Sequence, residues 1–138
     1  MMDAIRLLVE QYAPLLGRWL MAFIFLQSAW EKAVLFSRNV EVMQRKGVPA
    51  ARVLLVPAIA VMGLGGLSLL LGWHARWGAL ALLLFVATAL PFYHPYWKFE
   101  GMQRTGEFLH FMKNIALIGM LLFIVGMGSG PWSLAPGW

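Results

Sequence analysis

Four long runs of apolar residues, separated by short polar stretches, dominate the chain. They cover residues 15–36, 53–71, 77–92 and 108–127. A helix needs about 20 mostly apolar residues to cross the hydrocarbon core of a bilayer. The runs also lack the alternation of apolar and polar positions that a membrane β-barrel requires. The pattern therefore predicts an all-α membrane protein, a bundle of four transmembrane helices.

Two shorter amphipathic stretches accompany these runs. In residues 3–12 the apolar side chains share one helix face, and Pro14 marks the predicted junction with the first run. In residues 38–46 the basic side chains gather near the C-terminal end, where the helix dipole favours them, and Gly47 follows. The sequence thus predicts one short interfacial helix at the N-terminus and another in the first loop.

Composition supports a single membrane domain. The 138 residues are 61% hydrophobic and 12% charged, whereas about a quarter of the residues of a soluble protein are charged. The first run carries Arg18 and lacks a small-residue cleavage site, so we expect a mature helix and not a removable signal peptide. Gly63, Gly65 and Gly66 in the second run predict close packing against neighbouring helices.

The distribution of basic residues predicts the orientation. The first and third loops carry most of them: Arg38, Arg45, Lys46, Arg52, Lys98 and Arg104. The positive-inside rule places these loops in the cytoplasm and both termini on the opposite side. The net charge of +5 lies next to the membrane spans, where anionic lipid headgroups attract it. We therefore expect membrane lipids as partners and no nucleic acid.

A set of polar side chains lies inside or against the apolar runs. They are Arg18, Gln27, Ser28, Glu31, Lys32, His94, Glu107, His110, Lys113 and Asn114. Four spans bring all of them except Arg18 to the same leaflet. In the fourth span, Glu107, His110 and Asn114 share one helix face because their spacing is i, i+3, i+7. Ionisable groups in hydrocarbon cost several kcal/mol unless they are paired, so this cluster is the predicted site of any activity.

Structural explanations compete with functional ones for several of these residues. Lysine side chains can extend to the headgroups, Glu107 can be a first-turn acid of its helix, and Asn114 can make only interhelical hydrogen bonds. The chain has no cysteine, which excludes thiol and iron–sulfur chemistry. The three histidines do not have the spacing of a metal motif, and haem between His94 and His110 has little support, so no metal is expected.

A series of different short motifs follows in order along the chain. They are Arg18, Phe25-Leu26 and Lys32, then Gly47-Val48-Pro49, Gly65-Gly66-Leu67, Leu71-Gly72, Phe111-Met112-Lys113-Asn114, Leu117-Ile118-Gly119, Gly128-Ser129-Gly130 and Trp132-Ser133-Leu134. In order and spacing the chain resembles the DoxX family of small bacterial membrane proteins over nearly its whole length. It departs from the family at one position. Many members have a glutamate shortly before the double glycine, where this chain has Met62.

The resemblance implies a four-span protein of the bacterial cytoplasmic (inner) membrane, and the positive-inside rule then predicts both termini in the periplasm. It also implies an accessory subunit of a membrane redox system, since the family takes its name from a subunit associated with thiosulfate:quinone oxidoreductase. Many members have no assigned activity. Arg18, Lys32, Lys113 and Asn114 occupy the family's recurrent polar positions, whereas the role of the missing acid at Met62 is in doubt.

These observations lead to a functional expectation with two alternatives. We expect a subunit that binds a quinone, or docks a partner redox protein, through hydrogen-bond donors beside the acids of the cluster. The candidate binding residues are Arg18, Gln27, Glu31, Lys32, Tyr93, His94, Trp97, Glu107, His110, Lys113 and Asn114. The alternatives are a non-catalytic scaffold subunit and a small transporter or lipid-binding protein, which needs a homo-oligomer. Whether the chain is itself an enzyme stays open.

Overall fold

The computed structural model describes all residues from Met1 to Trp138 and contains five α-helices. They are α1 (Met2–Val34), α2 (Phe36–Arg45), α3 (Ala51–Leu71), α4 (Ala75–Tyr93) and α5 (Gly101–Met127), with a 3₁₀ turn at Tyr96–Lys98. Helices α3, α4 and α5 are each long and apolar enough to cross a membrane. Helix α1 meets the same criterion only together with α2, from which it is bent by 97°. The prediction of an all-helical membrane protein is confirmed.

The long helices pack in chain order, with α1 against α3, α3 against α4 and α4 against α5. A single apolar core joins them, in which Leu69, Leu82 and Leu121 are fully buried. One end of this bundle carries α2 and the connection from α4 to α5, and we name it the α2 end. The other end carries the turn between α3 and α4, and we name it the hairpin end.

The N-terminal helix differs from the prediction. Helix α1 is continuous from Met2 to Val34 and contains Pro14, so the predicted junction there is wrong. A proline removes one backbone hydrogen bond, to the carbonyl of Glu10, and membrane helices tolerate that loss. Residues 3–12 therefore extend the first long helix and do not form a separate one. In the first loop, α2 is a helix as predicted, and its position at the membrane interface stays a prediction.

The hairpin end is closely packed. Gly72 ends α3 in the left-handed conformation, with φ of +64°, and α4 begins three residues later. The last residues of the chain fold back onto this turn, where the Leu134 and Ala135 amides donate to the carbonyls of Leu71 and Gly72 at 3.2 and 3.1 Å. A tight hairpin therefore joins α3 and α4.

Candidate functional site

A cavity of 770 Å³ lies at the α2 end, between α1, α3, α4 and α5. Most of its lining is apolar, and Phe25, Met62 and Phe85 belong to this part. Its polar lining consists of Ser28, Lys32, Thr88, Tyr93, His94 and Asn114. No carboxylate is among the lining residues. The cavity is therefore a mostly apolar chamber whose lining offers an ammonium, hydroxyls and an amide as possible hydrogen-bond donors and contains no carboxylate.

Helix α1 contributes the cation of this cavity. Phe25, Ser28 and Lys32 follow i, i+3, i+7 spacing and so lie on the helix face that lines it. The Lys32 side chain is partly buried and makes no ion pair, since the ion pairs of the chain involve other residues. Met62 is buried in the same wall. The cavity consequently holds an ammonium group without an acid to balance it.

A histidine–glutamate pair forms another part of the wall. His94, just after the end of α4, hydrogen-bonds through Nδ1 to Glu107 Oε2 of α5 at 2.7 Å, and about four fifths of each side chain is buried. The His94 ring also stacks on His110, with centroids 5.0 Å apart. Because Glu107 and His110 are one turn apart, both reach His94 from the same face of α5. Of these residues only His94 lines the cavity.

The remaining predicted residues divide between the cavity and the surface. Asn114 lines the cavity, and its side-chain amide donates to the His110 carbonyl of its own helix at 2.8 Å. Tyr93 also lines it. Gln27, Glu31, Trp97, His110 and Lys113 are exposed and do not line it. On α1, the face of Ser28 and Lys32 is turned inward, which leaves Gln27 and Glu31 on a different face.

Arg18 does not line the large cavity and lies toward the other end of the bundle. It is 3% exposed and lies near the hairpin end, where its guanidinium donates to the carbonyls of Ser129 and Trp132 and to the Ser133 hydroxyl. The last two distances are 2.9 and 2.7 Å. A second cavity of 400 Å³ lies beside it. Arg18 thus fastens the C-terminal segment to the bundle, which the sequence did not indicate.

Sequence reasoning also missed a contact at the rim of the large cavity. Lys46, which follows α2, donates to the backbone carbonyl of Tyr93 and lies 5.4 Å from the centroid of the Tyr93 ring. The contact joins the end of α2 to the end of α4. Its only signal in the sequence was the basic C-terminal end of the predicted loop helix.

Comparison with known proteins finds a matching family and one similar protein. Residues 13–95 match the DoxX family. The chain is also 28% identical over 127 residues to the inner membrane protein YqjF of Escherichia coli (strain K12), an alignment that covers 91% of this chain and 92% of that protein. No solved structure matches the chain. Since the family match covers more than half of the sequence, the chain belongs to the DoxX family.

Proposed function

We propose that this protein is an accessory subunit of a quinone-linked redox system in the bacterial inner membrane, and that its cavity at the α2 end holds the quinone. The observation that supports this most is the combination of an apolar chamber of 770 Å³ with a lining that contains several hydrogen-bond donors and no carboxylate. Small-molecule sites have volumes of roughly 300–1,000 Å³ and a few polar groups in apolar walls. The cavity has the size and composition of such a site.

The polar lining suits a quinone head. A quinone presents two carbonyl oxygens, which accept hydrogen bonds and donate none. The Lys32 ammonium only donates, and the Ser28 hydroxyl and Asn114 amide can also donate. Phe25 and Phe85 supply aromatic surface for the flat ring of the head. A charge-assisted hydrogen bond from Lys32 is the strongest single interaction available, because that ammonium has no partner in the chain.

The proposal includes a fourth span and an orientation. Helix α1 carries Met21, Phe25 and Ala29 in the common core, so its second half is packed as a span of the bundle. The name of the Escherichia coli relative specifies the inner membrane. With both termini in the periplasm, the α2 end and the cavity lie in the cytoplasmic leaflet, where the basic loops are expected.

The accessory role follows from the chemistry that a quinone site requires. Reduction of a quinone needs electrons, and the residues around the cavity have no redox-active side chain other than Tyr93. A partner redox protein must therefore supply electrons or receive them. The exposed apolar face of α5, which includes Phe108, Met112 and Ile115, is available either to such a partner or to lipid.

Lipid binding is the second candidate function, and the unpaired Lys32 favours it. An ammonium without a carboxylate neighbour also suits the acidic head of a lipid or a fatty acid. Both ligands place an apolar tail and a hydrogen-bond-accepting head in one cavity. A solvent extract of the purified protein distinguishes the two functions, because it contains quinone in the first case and an acidic lipid or a fatty acid in the second.

The test compares Lys32, which lines the cavity, with Lys113, which does not. The wild-type protein is purified in mild detergent from native membranes, and co-eluting proteins and extracted quinone are quantified by mass spectrometry. We expect near-stoichiometric quinone in the wild type and in Lys113→Met, whose lysine is exposed outside the cavity. Lys32→Met removes a charged hydrogen bond of about 1.5–3 kcal/mol, so quinone content should fall about tenfold or more.

Other outcomes of this experiment separate the alternatives. An extract with bulk phospholipid and no quinone in any sample rejects the quinone site. Selective loss of one acidic lipid in Lys32→Met points to the lipid-binding function. A partner protein that co-purifies equally with all variants, without quinone, identifies a scaffold subunit.

A further inference from the structure

We propose that the cavity opens sideways into the bilayer, through a gap between α3 and α4 at the α2 end, and that the ligand's hydrocarbon tail occupies this gap. The inference rests on the proposed function, because it assumes a ligand with a head in the cavity. It adds the route by which the ligand enters and the part of the protein that recognises its tail. We name the opening the α3–α4 gap; its residues are Leu54, Ala58 and Val61 of α3 and Ala81, Leu84, Thr88 and Phe92 of α4.

At the hairpin end, small residues bring α3 and α4 close together. A Cβ atom added at Gly65 of α3 would lie 2.6 Å from Leu82 Cγ of α4, and one added at Gly78 of α4 would lie 2.3 Å from Ser68 Oγ of α3. Real Cβ atoms do not approach neighbours this closely. The two helices are therefore in full contact over this half, and no tail can pass between them.

Toward the α2 end the same faces line the cavity. On α3, the stripe that meets α4 at Gly65 continues one turn at a time through Val61, Ala58 and Leu54, and these three residues line the cavity. Larger side chains replace glycine in this half, so the helices cannot approach as they do at Gly65. The close contact at one end and the cavity at the other make the space between α3 and α4 a wedge.

The wedge is open to the lipid. On α4, Ala81, Leu84, Thr88 and Phe92 run along one side of the helix, and all four both line the cavity and are exposed on the molecular surface. The exposed fractions of Leu84 and Phe92 are 56% and 50%. Across the gap, Leu54 of α3 is 45% exposed and also lines the cavity. Because these residues line the cavity and are also exposed on the molecular surface, they mark an opening in the cavity wall.

The end of the cavity near the loops is covered. Met43 of α2 is buried with Ala51 and Leu55 of α3 in a second apolar cluster. Beside it, Lys46 is bonded to the Tyr93 carbonyl, which ties this cover to the end of α4. The cover lies between most of this end of the cavity and the water expected beyond α2. Pro49 of the loop before α3 is exposed and lines the cavity here, whereas the gap has a longer run of exposed lining residues, so the gap is the larger opening.

The chemistry of the gap selects a hydrocarbon occupant. The gap residues of α3 and α4 carry no charge, and Thr88 is the one with a polar side chain. Its hydroxyl donates to carbonyls of its own helix, Leu84 at 2.8 Å and Phe85 at 3.0 Å. Residues 81–92 span about 16 Å at roughly 1.5 Å per residue. An isoprenoid or alkyl tail fits this lining, because the Thr88 proton is already used within its own helix and the other gap residues are apolar.

Photolabelling of the wild-type protein in nanodiscs tests the inference. The probe is a short-tailed ubiquinone with a diazirine at the end of its tail, and the labelled residues are identified by peptide mass spectrometry. We expect labelling of Leu54, Leu84 and Phe92 that excess unlabelled ubiquinone suppresses at least tenfold. Competed labelling confined to α2 or to the connection from α4 to α5 overturns the lateral entrance. Absence of competed labelling anywhere overturns the proposed quinone site itself.

Two alanines of α4 provide a matched second test. Ala81 lines the gap and Ala87 does not, and both are exposed on the same helix. Ala81→Trp should slow the uptake of the probe by empty protein at least tenfold, as measured from the time course of photolabelling. Ala87→Trp should match the wild type. Equal rates in both variants contradict the gap, and if Ala81→Trp does not fold, the label positions in the wild type still decide.

Discussion

A single methyl group added at Gly78 should weaken the bundle more than the same group added at Gly63. The new Cβ at Gly78 would lie 2.3 Å from Ser68 Oγ, 2.6 Å from Ser68 Cβ and 3.3 Å from the Gly65 carbonyl oxygen. Ser68 cannot rotate away freely, because its hydroxyl donates to the Trp73 carbonyl at 2.7 Å. Overpacking costs about 1–3 kcal/mol and the hydrogen bond about 1 kcal/mol. We expect Gly78→Ala to lower the free energy of unfolding by about 2–4 kcal/mol.

The control lies on the neighbouring helix. A Cβ at Gly63 of α3 meets only Ala29 Cβ, at 3.9 Å, which is an ordinary contact. Gly63→Ala should therefore stay within about 1 kcal/mol of the wild type, on the more stable side, because alanine favours the helix. Unfolding by SDS titration, followed by circular dichroism, measures both variants. Ser68→Gly should recover part of the loss in Gly78→Ala, since it removes both of the closest atoms.

Two results refute this reasoning. If Gly78→Ala is as stable as the wild type, α3 and α4 are not held in contact at the hairpin end. If Gly63→Ala is equally destabilised, an added methyl group disturbs the bundle wherever it is placed. The loss in Gly78→Ala then does not report the close contact between α3 and α4. A widened hairpin end should also speed the exchange of a bound tail, and the same photolabelling time course detects that change.

Three further variants test contacts outside the helix pair. Arg18→Met removes the donor to three acceptors of the C-terminal segment, and limited proteolysis should cleave that segment at least several-fold faster than in the wild type. Glu107→Gln keeps a hydrogen bond to His94 and loses its charge, so the unfolding free energy should fall by about 1 kcal/mol or less; a larger loss indicates that the charge matters more than the bond. Lys46→Met frees the carbonyl of Tyr93, and hydrogen exchange should accelerate in the last turn of α4 while the rest of that helix stays protected.

Hydropathy predicted the apolar part of each helix better than its ends. The second and third spans, predicted at 53–71 and 77–92, match α3 and α4 within two residues. The fourth was predicted from residue 108, whereas α5 begins at Gly101. Its first turns contain polar residues, which a helix outside the hydrocarbon accepts. Hydropathy detects the membrane-compatible segment, and a helix can continue beyond it, as α1 also does through Pro14.

Helical periodicity grouped the polar residues without revealing which group faces the cavity. On α1 the pairs Gln27 with Glu31 and Ser28 with Lys32 have the same spacing, and only the second pair lines the cavity. That choice depends on how the helix is rotated in the bundle, which the packing of Phe25 and its apolar neighbours determines. Hydrogen bonds to backbone carbonyls, such as those that the Arg18 side chain donates, leave no pattern in the sequence and could not be predicted.

The two arginines at the hairpin end have a consequence for the order of assembly. Arg18 and Arg76 donate to carbonyls of residues 125–132, which leave the ribosome long after both arginines have been made. Until then Arg18, which is buried, and Arg76, which is partly buried, lack these acceptors. A buried cation without partners costs several kcal/mol, so the loss is greater at Arg18. The C-terminal segment is therefore expected to dock last, after the helices that carry both arginines are in place.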